Sequence, residues 1–508
     1  MGRTHESRHT MSAASEAART LLYDDAEWTF DRLDAAYEAC AEVAFADLGL
    51  DIYKNQIEII SSEQMLDAYS SHGMPLMYRH WSFGKHFARD ETMYRKGYSG
   101  LAYEIVINSD PCISYLMEEN SMTMQTLVMA HACFGHNHFF KNNYLFRQWT
   151  DAGSILGYLD FAKKYIAKCE DEYGFGPVEA VLDAAHALMD QGVFRYPRKP
   201  RMSEQERLSR LRARVKYQEE TFNDLWRTLP GSEETEEEKE EREIEIRDIQ
   251  LPEENLLYFL EKVSPTLRPW QRELLRIVRN VSQYFYPQKQ TKVMNEGCAT
   301  FVHHYIMNEL HGRGRISDGA MLEFMHSHSS VVFQPDFDDP RYSGINPYAL
   351  GFAMMQDIVR ICTDPKDEDR EWFPEMADSG DWRGVLKDAW ANFRDESFIR
   401  QYLSPTVMRD FHLFALSDDG TSNHYDVAAI HNERGYRDLR ERLAGMYDIG
   451  LREPNLQVTK ADLAGDRVLH LVHNAFGAPL AEDTKDEVEG YIGALWGHEV
   501  ELAESDAG

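Results

Sequence analysis

Cysteine is scarce in this chain: six residues in 508, at Cys40, Cys112, Cys133, Cys169, Cys298 and Cys362, with no C-x-x-C pair among them. That spacing reads as reduced, mostly buried thiols, not as a disulfide framework. No apolar run approaches the length of a transmembrane helix, and Met1 to Arg19 holds His, Ser and Arg without the apolar stretch of a secretion signal. The expected compartment is the cytoplasm, without membrane insertion. Basic residues are outnumbered: 54 Lys and Arg against 86 Asp and Glu leave a net charge of −32, and only 17 of the 54 are Lys. So acidic a surface repels phosphate backbones and anionic lipid, and no local basic patch stands out, so no nucleic-acid partner is expected. The Arg-rich, Lys-poor balance is that of a halophilic, salt-tolerant surface, whose self-repulsion salt screens. P-loop, G-x-G-x-x-G and G-x-S-x-G motifs in a fitting context are missing too, so no nucleotide or organic cofactor is expected.

What is present is an ordinary globular composition, 43% hydrophobic and 12% aromatic, in a chain long enough for two or three domains. Residues 1–14 are small and polar and read as a loose tail. From 15 to 407 apolar residues recur every three or four positions, as in TMQTLVMAHACFGH and NEGCATFVHHYIMNEL, which predicts a helical body. YEIVIN, Tyr103 to Asn108, is its best strand candidate, followed by turn residues Ser109, Asp110 and Pro111. The charge run GSEETEEEKEEREIEIRD, residues 231–248, reads as an exposed helix or linker between two helical halves. After Ser404 and Pro405 the texture changes to short strands and helices in the order β-β-α-β-β-α-β. Turns are expected at Asp418-Asp419-Gly420 and at Leu463 to Asp466. The predicted fold is a mainly α N-terminal body with a small C-terminal α+β domain, 408–503, whose helices pack on one sheet face.

Two clusters carry metal-binding chemistry. The first, MAHACFGHNHFFKNN from Met129 to Asn143, places imidazoles at His131, His136 and His138. Imidazole is the commonest protein ligand for zinc and suits other divalent transition metals. In a straight α-helix, residues five apart point about 140° away from each other. His131 and His136 then share one ion only if the helix breaks, for which Gly135 is well placed. If it does not break, His131 and His138 share a face. The second cluster, MNEGCATFVHH from Met294 to His304, puts Glu296 and His303 on one face with Thr300 between them. Its NEG-x-A core resembles the helix that supplies the glutamate ligand in gluzincin metallopeptidases. The H-E-x-x-H of that group is lacking, since Ala132 follows His131. A divalent metal, zinc first, held by His131, His136, Glu296 and His303 with His138 and His304 as alternates, is one reading. Buried histidines bonded across a polar helical core are the other.

Glu104, Glu118 and Glu119 are possible carboxylate ligands or bases, although each alone is commonly a surface charge or cap. His326 and His328 offer further imidazoles at a helix end, and HWSFGKHF, from His80 to Phe87, joins cations to aromatics. Cys133 and Cys298 lie near histidines, as a Cys-His nucleophile would, though buried Cys is commonly a small hydrophobe.

The strings HWSFGKHF, YEIVINSDPCISYLMEEN, MAHACFGHNHFFKNNYLF, MNEGCATFVHHYIMN, INPYALGF, SFIRQYLSPTVMRDF and AIHNERGYRDLRERL resemble the stage V sporulation protein R (SpoVR) family, in the same order and over residues 20–503. The resemblance implies a long N-terminal region and a short C-terminal domain. It further implies a family named for sporulation cortex formation, with a stress-response role in organisms that make no spores, beside a PrkA-type serine kinase and a YeaH-type protein. Two functions are expected: from the His and Glu clusters, a zincin-like, metal-dependent hydrolase acting on an amide-type bond; from the resemblance, a non-catalytic scaffold in a kinase-linked stress complex.

Overall fold

A computed structural model describes residues 20–70, 77–78, 80, 104–195, 251–336, 339–413, 415–417, 426–429, 433–461, 463, 465–475 and 479–505. The tail 1–14, the acidic run 231–248, Tyr103, most of HWSFGKHF, Ala464 and the turn at Asp418 to Gly420 lie outside the described residues. The chain forms two units, 1–159 with 287–449, and 160–286 with 450–508. Among the described residues no helix is long and apolar enough to cross a membrane.

The first unit is mainly helical, as its periodicity predicts. Helix α1, Phe30–Ala46, starts where the Thr29 hydroxyl accepts from the Arg32 amide, and it buries Leu33, Ala36, Cys40 and Val43 on one stripe. A three-stranded sheet follows: β1 (Asn55–Ile60), β2 (Glu104–Ile107) and β3 (Cys112–Met117), in the order β1-β3-β2, with β1 parallel and β2 antiparallel to β3. The sequence signals β2 but not its partners. The central strand β3 is buried at five of six positions and so lacks period-two alternation. Next comes one uninterrupted helical stretch made of α2 (Met122–Met129), a π-helical segment (Ala130–His136) and α3 (Asn137–Asn142).

Helix α4 (Lys292–Gly312) lies between this π segment and a later helix. After it come α5 (Asp318–Val331), α6 (Pro347–Thr363) and α7 (Asp395–Tyr402). Glycines set both close approaches: a Cβ on Gly135 would lie 2.5 Å from Ala299 Cα, and one on Gly297 would lie 2.6 Å from Gly351 Cα. Asp395, fully buried on α7, accepts from the Val293 and Met294 amides at 2.9 Å each and so caps the start of α4 from outside that helix.

The C-terminal order β-β-α-β-β-α-β is present, but its strands form two sheets where one was expected. β4 (Ala415–Ser417) and β5 (Asp426–Ala429) pair with each other, and the helix after them, Glu433–Met446, buries Leu443 and Ala444 in the core of the first unit. Packing therefore assigns this stretch to the helical body. In the second unit β6 (Leu456–Ala461), β7 (Leu469–Asn474) and β8 (Val500–Ser505) form a sheet in that order, antiparallel then parallel. The helix Glu482–Trp496 supplies the α+β character and ends at Gly497, whose φ of 82° suits glycine.

Candidate metal centre

The site is built on the π segment, where the helix does not break at Gly135 but widens. With i→i+5 hydrogen bonds, residues five apart are stacked one turn above the other, so His131 and His136 face the same way and their ring centroids lie 4.6 Å apart. Gly135 has a different task from the one its sequence position suggests. It lets the π segment touch the backbone of α4 at Ala299. That contact brings Glu296 opposite the two histidines, its Oε2 being 3.5 Å from His136 Nε2 and 3.9 Å from His131 Nε2. Glu104 at the start of β2 enters from the sheet, with Oε1 3.6 Å from His131 Nε2. One ligating atom each of Glu104, His131 and His136 lie within 4.8 Å of one another.

The electrostatics are unfavourable for the protein alone. Burial raises the Glu104 carboxyl to about 8, with the nearby Glu296 adding to the effect. Burial, reinforced by His136 and His303, pushes His131 well below the ordinary imidazole value. His131 Nε2 and Glu296 Oε2 are both buried without a hydrogen-bond partner, and such orphans are uncommon in native interiors. Both carboxylate side chains nonetheless keep about a sixth of their surface, 17% for Glu104 and 16% for Glu296, so neither is fully enclosed.

Behind this pocket the rings are held by neutral partners. His136 Nδ1 meets Asn295 Oδ1 at 2.9 Å, and His131 Nδ1 meets His303 Nδ1 at 2.8 Å. His303 Nε2 in turn meets His328 Nδ1 at 2.9 Å. His303 thus lies on the far side of His131 from the carboxylates, with both ring nitrogens engaged.

The remaining sequence candidates have other partners. His138 Nδ1 accepts from the Asp51 amide at 3.1 Å, and burial lowers it to about 4. His304 is half-buried, its ring packed on His328 and Phe352. Glu118 and Glu119 are exposed, and Glu119 accepts from the Ser62 amide. His326 is exposed, whereas His328 is buried in the imidazole chain. The nucleophile reading of the cysteines fails on burial, which pushes Cys133 up to about 12 and Cys298 well above its ordinary value, so both stay protonated thiols. All six cysteines are buried and unpaired. The sequence pattern does not mark Asn295 or Asp395; Asn295 stands beside Glu296, but the importance of Asp395 depends on a contact about a hundred residues away.

Comparison with known proteins agrees with the sequence resemblance. Residues 27–452 match the family described as SpoVR like protein, and residues 454–507 match the SpoVR-like C-terminal domain. Over 490 residues, 96% of this chain and 94% of the relative, it is 55% identical to "Uncharacterized protein YcgB" of Escherichia coli (strain K12). No solved structure matches the chain. With the two family models matched over residues 27–452 and 454–507, the chain belongs to the SpoVR family.

Proposed function

We propose that the first unit holds one divalent metal ion between the π segment and α4 and uses it to hydrolyse an amide or related bond. The observation that carries this reading is the pair of orphaned, buried atoms, His131 Nε2 and Glu296 Oε2, that face each other across the pocket beside His136 and Glu104. Leaving such atoms unpaired costs about 1–3 kcal/mol each, and a cation relieves both at once. It also removes the repulsion between the two carboxylates. A set of imidazoles and carboxylates suits zinc, iron or manganese, and zinc is the first choice.

In this reading His131, His136 and Glu296 hold the ion. When bound, it supplies Lewis acidity and an acidified water. Glu104, at the start of its strand and beside His131, would take the proton of the attacking water. Burial raises its carboxyl to about 8, and a nearby cation would lower it toward the range in which a general base works. The test is elemental mass spectrometry after chelation and reconstitution with zinc, manganese or ferrous iron, followed by assay on fluorogenic amides. Wild type and Glu104→Gln should each carry about one ion per chain and Glu296→Gln almost none, as expected for a three-ligand catalytic site. Amide cleavage should fall about 10²–10⁴-fold in Glu104→Gln. A wild type that takes up no ion sinks the proposal.

A further inference from the structure

The imidazole chain behind the pocket, His131 to His303 to His328, fixes more than ring positions. A neutral imidazole carries one N–H and one lone pair. The three rings are buried, and each link between them is a contact of two ring nitrogens at 2.8 or 2.9 Å that holds one hydrogen. Because both nitrogens of His303 are engaged, it donates on one side and accepts on the other. The chain therefore has two self-consistent directions. In one, His131 Nδ1 donates to His303 Nδ1, and His303 Nε2 donates to His328 Nδ1. The other reverses both bonds and leaves the hydrogen on His131 Nε2, where the nearest carboxylate oxygens, at 3.6 and 3.9 Å, are too far to accept it.

The unpartnered end of His131 decides between them. A hydrogen on Nε2 would be a buried donor with no acceptor, whereas a lone pair there is what a cation takes. The metal reading therefore places the hydrogen on Nδ1, between His131 and His303.

We infer that His303 and His328 are positioning residues that set the His131 tautomer, so that Nε2 presents its lone pair to the cation. The inference rests on the metal reading above and gives His303 no place among the ligands. It separates two roles that sequence spacing leaves merged, because a ligand and a residue that orients a ligand are equally close in the chain.

The test exploits the likeness of asparagine Oδ1 to imidazole Nδ1 in position and accepting ability. Zinc affinity is measured by competition with a chromophoric chelator, cobalt(II) replaces zinc for absorption spectra, and far-UV circular dichroism checks the fold of each variant. His303→Leu should weaken zinc binding about 10–100-fold, the usual range for the support of a ligating histidine, and leave the cobalt band positions unchanged. His303→Asn should remain within about threefold of wild type, since its amide oxygen still accepts from His131 Nδ1. If His303→Leu does not fold, His328→Leu against His328→Asn makes the same comparison one ring further back. Shifted cobalt bands in a folded His303 variant would make it a ligand and overturn the inference, as would equal losses in the Leu and Asn variants or none in either. A wild type that binds neither zinc nor cobalt removes the metal reading and this inference together, whereas the other adverse outcomes leave the metal reading standing.

Discussion

Gly135→Ala tests whether the site depends on backbone contact between the π segment and α4. In an ordinary helix this substitution stabilises by up to about 1 kcal/mol through propensity. Here the new Cβ would lie 2.5 Å from Ala299 Cα, 2.9 Å from Ala299 Cβ and 3.3 Å from the Ala299 carbonyl oxygen. Relieving the closest contact requires the two elements to separate by on the order of 1 Å, and overpacking of this kind costs about 1–3 kcal/mol. The backbone nature of the clash places it at the upper end, so the net loss should be about 1–2 kcal/mol after the propensity gain. The same separation moves His131 and His136 away from Glu296, so zinc affinity should fall with stability. Thermal unfolding and zinc titration of the variant measure the two effects. The double variant Gly135→Ala with Ala299→Gly sharpens the test: it removes the 2.9 Å contact but leaves the 2.5 Å one, and should recover little. Full recovery in the double variant would show that the helices meet through side chains and would refute this argument.

Asp395→Ala should destabilise the first unit by about 2–4 kcal/mol in urea unfolding, because it orphans the buried Val293 and Met294 amides, while Asp395→Asn should lose about half as much. Stability of the metal-free protein should also depend on pH in a defined sense. The Glu104 carboxyl is raised by burial from 4.5 to about 8, so its contribution is fully present below 4.5 and is lost as pH rises through 8. His131 and His303, lowered below 6.5, contribute above 6.5 and lose that contribution as pH falls through their folded values. Chelated protein should therefore unfold at lower temperature at pH 9 than at pH 7. Bound zinc should abolish that decline, and Glu104→Gln should flatten it. A chelated wild type equally stable at pH 7 and 9 would contradict the burial assigned to Glu104.

The helical body and the order of C-terminal elements are legible in the chain because apolar period and turn residues are local signals. β3 is not, because burial on both faces erases its alternation. The grouping of the last strands into two sheets is not either, because it depends on where Leu443 and Ala444 find a core. At the site, spacing brings His131, His136 and Glu296 into consideration but places the two histidines about 140° apart on an ideal α-helix. The widening to a π-helix has no compositional signature, so Gly135 suggests a break when its role is close approach. Glu104 is one of several sequence carboxylates, and only the sheet that carries it singles it out from Glu118 and Glu119. The arrangement of His131, His303 and His328 depends on which ring nitrogen meets which, and that is information only three-dimensional packing holds.

The most direct test of the metal centre is diffraction from crystals soaked in zinc, recorded on both sides of the zinc absorption edge. The account predicts a single strong anomalous peak in the first unit, about 2.0–2.2 Å from His131 Nε2, His136 Nε2 and a Glu296 oxygen, with His303 bonded to His131 and not to the ion. A peak bonded to His303, or no peak between the π segment and α4 in crystals whose site is open to solvent, would contradict it.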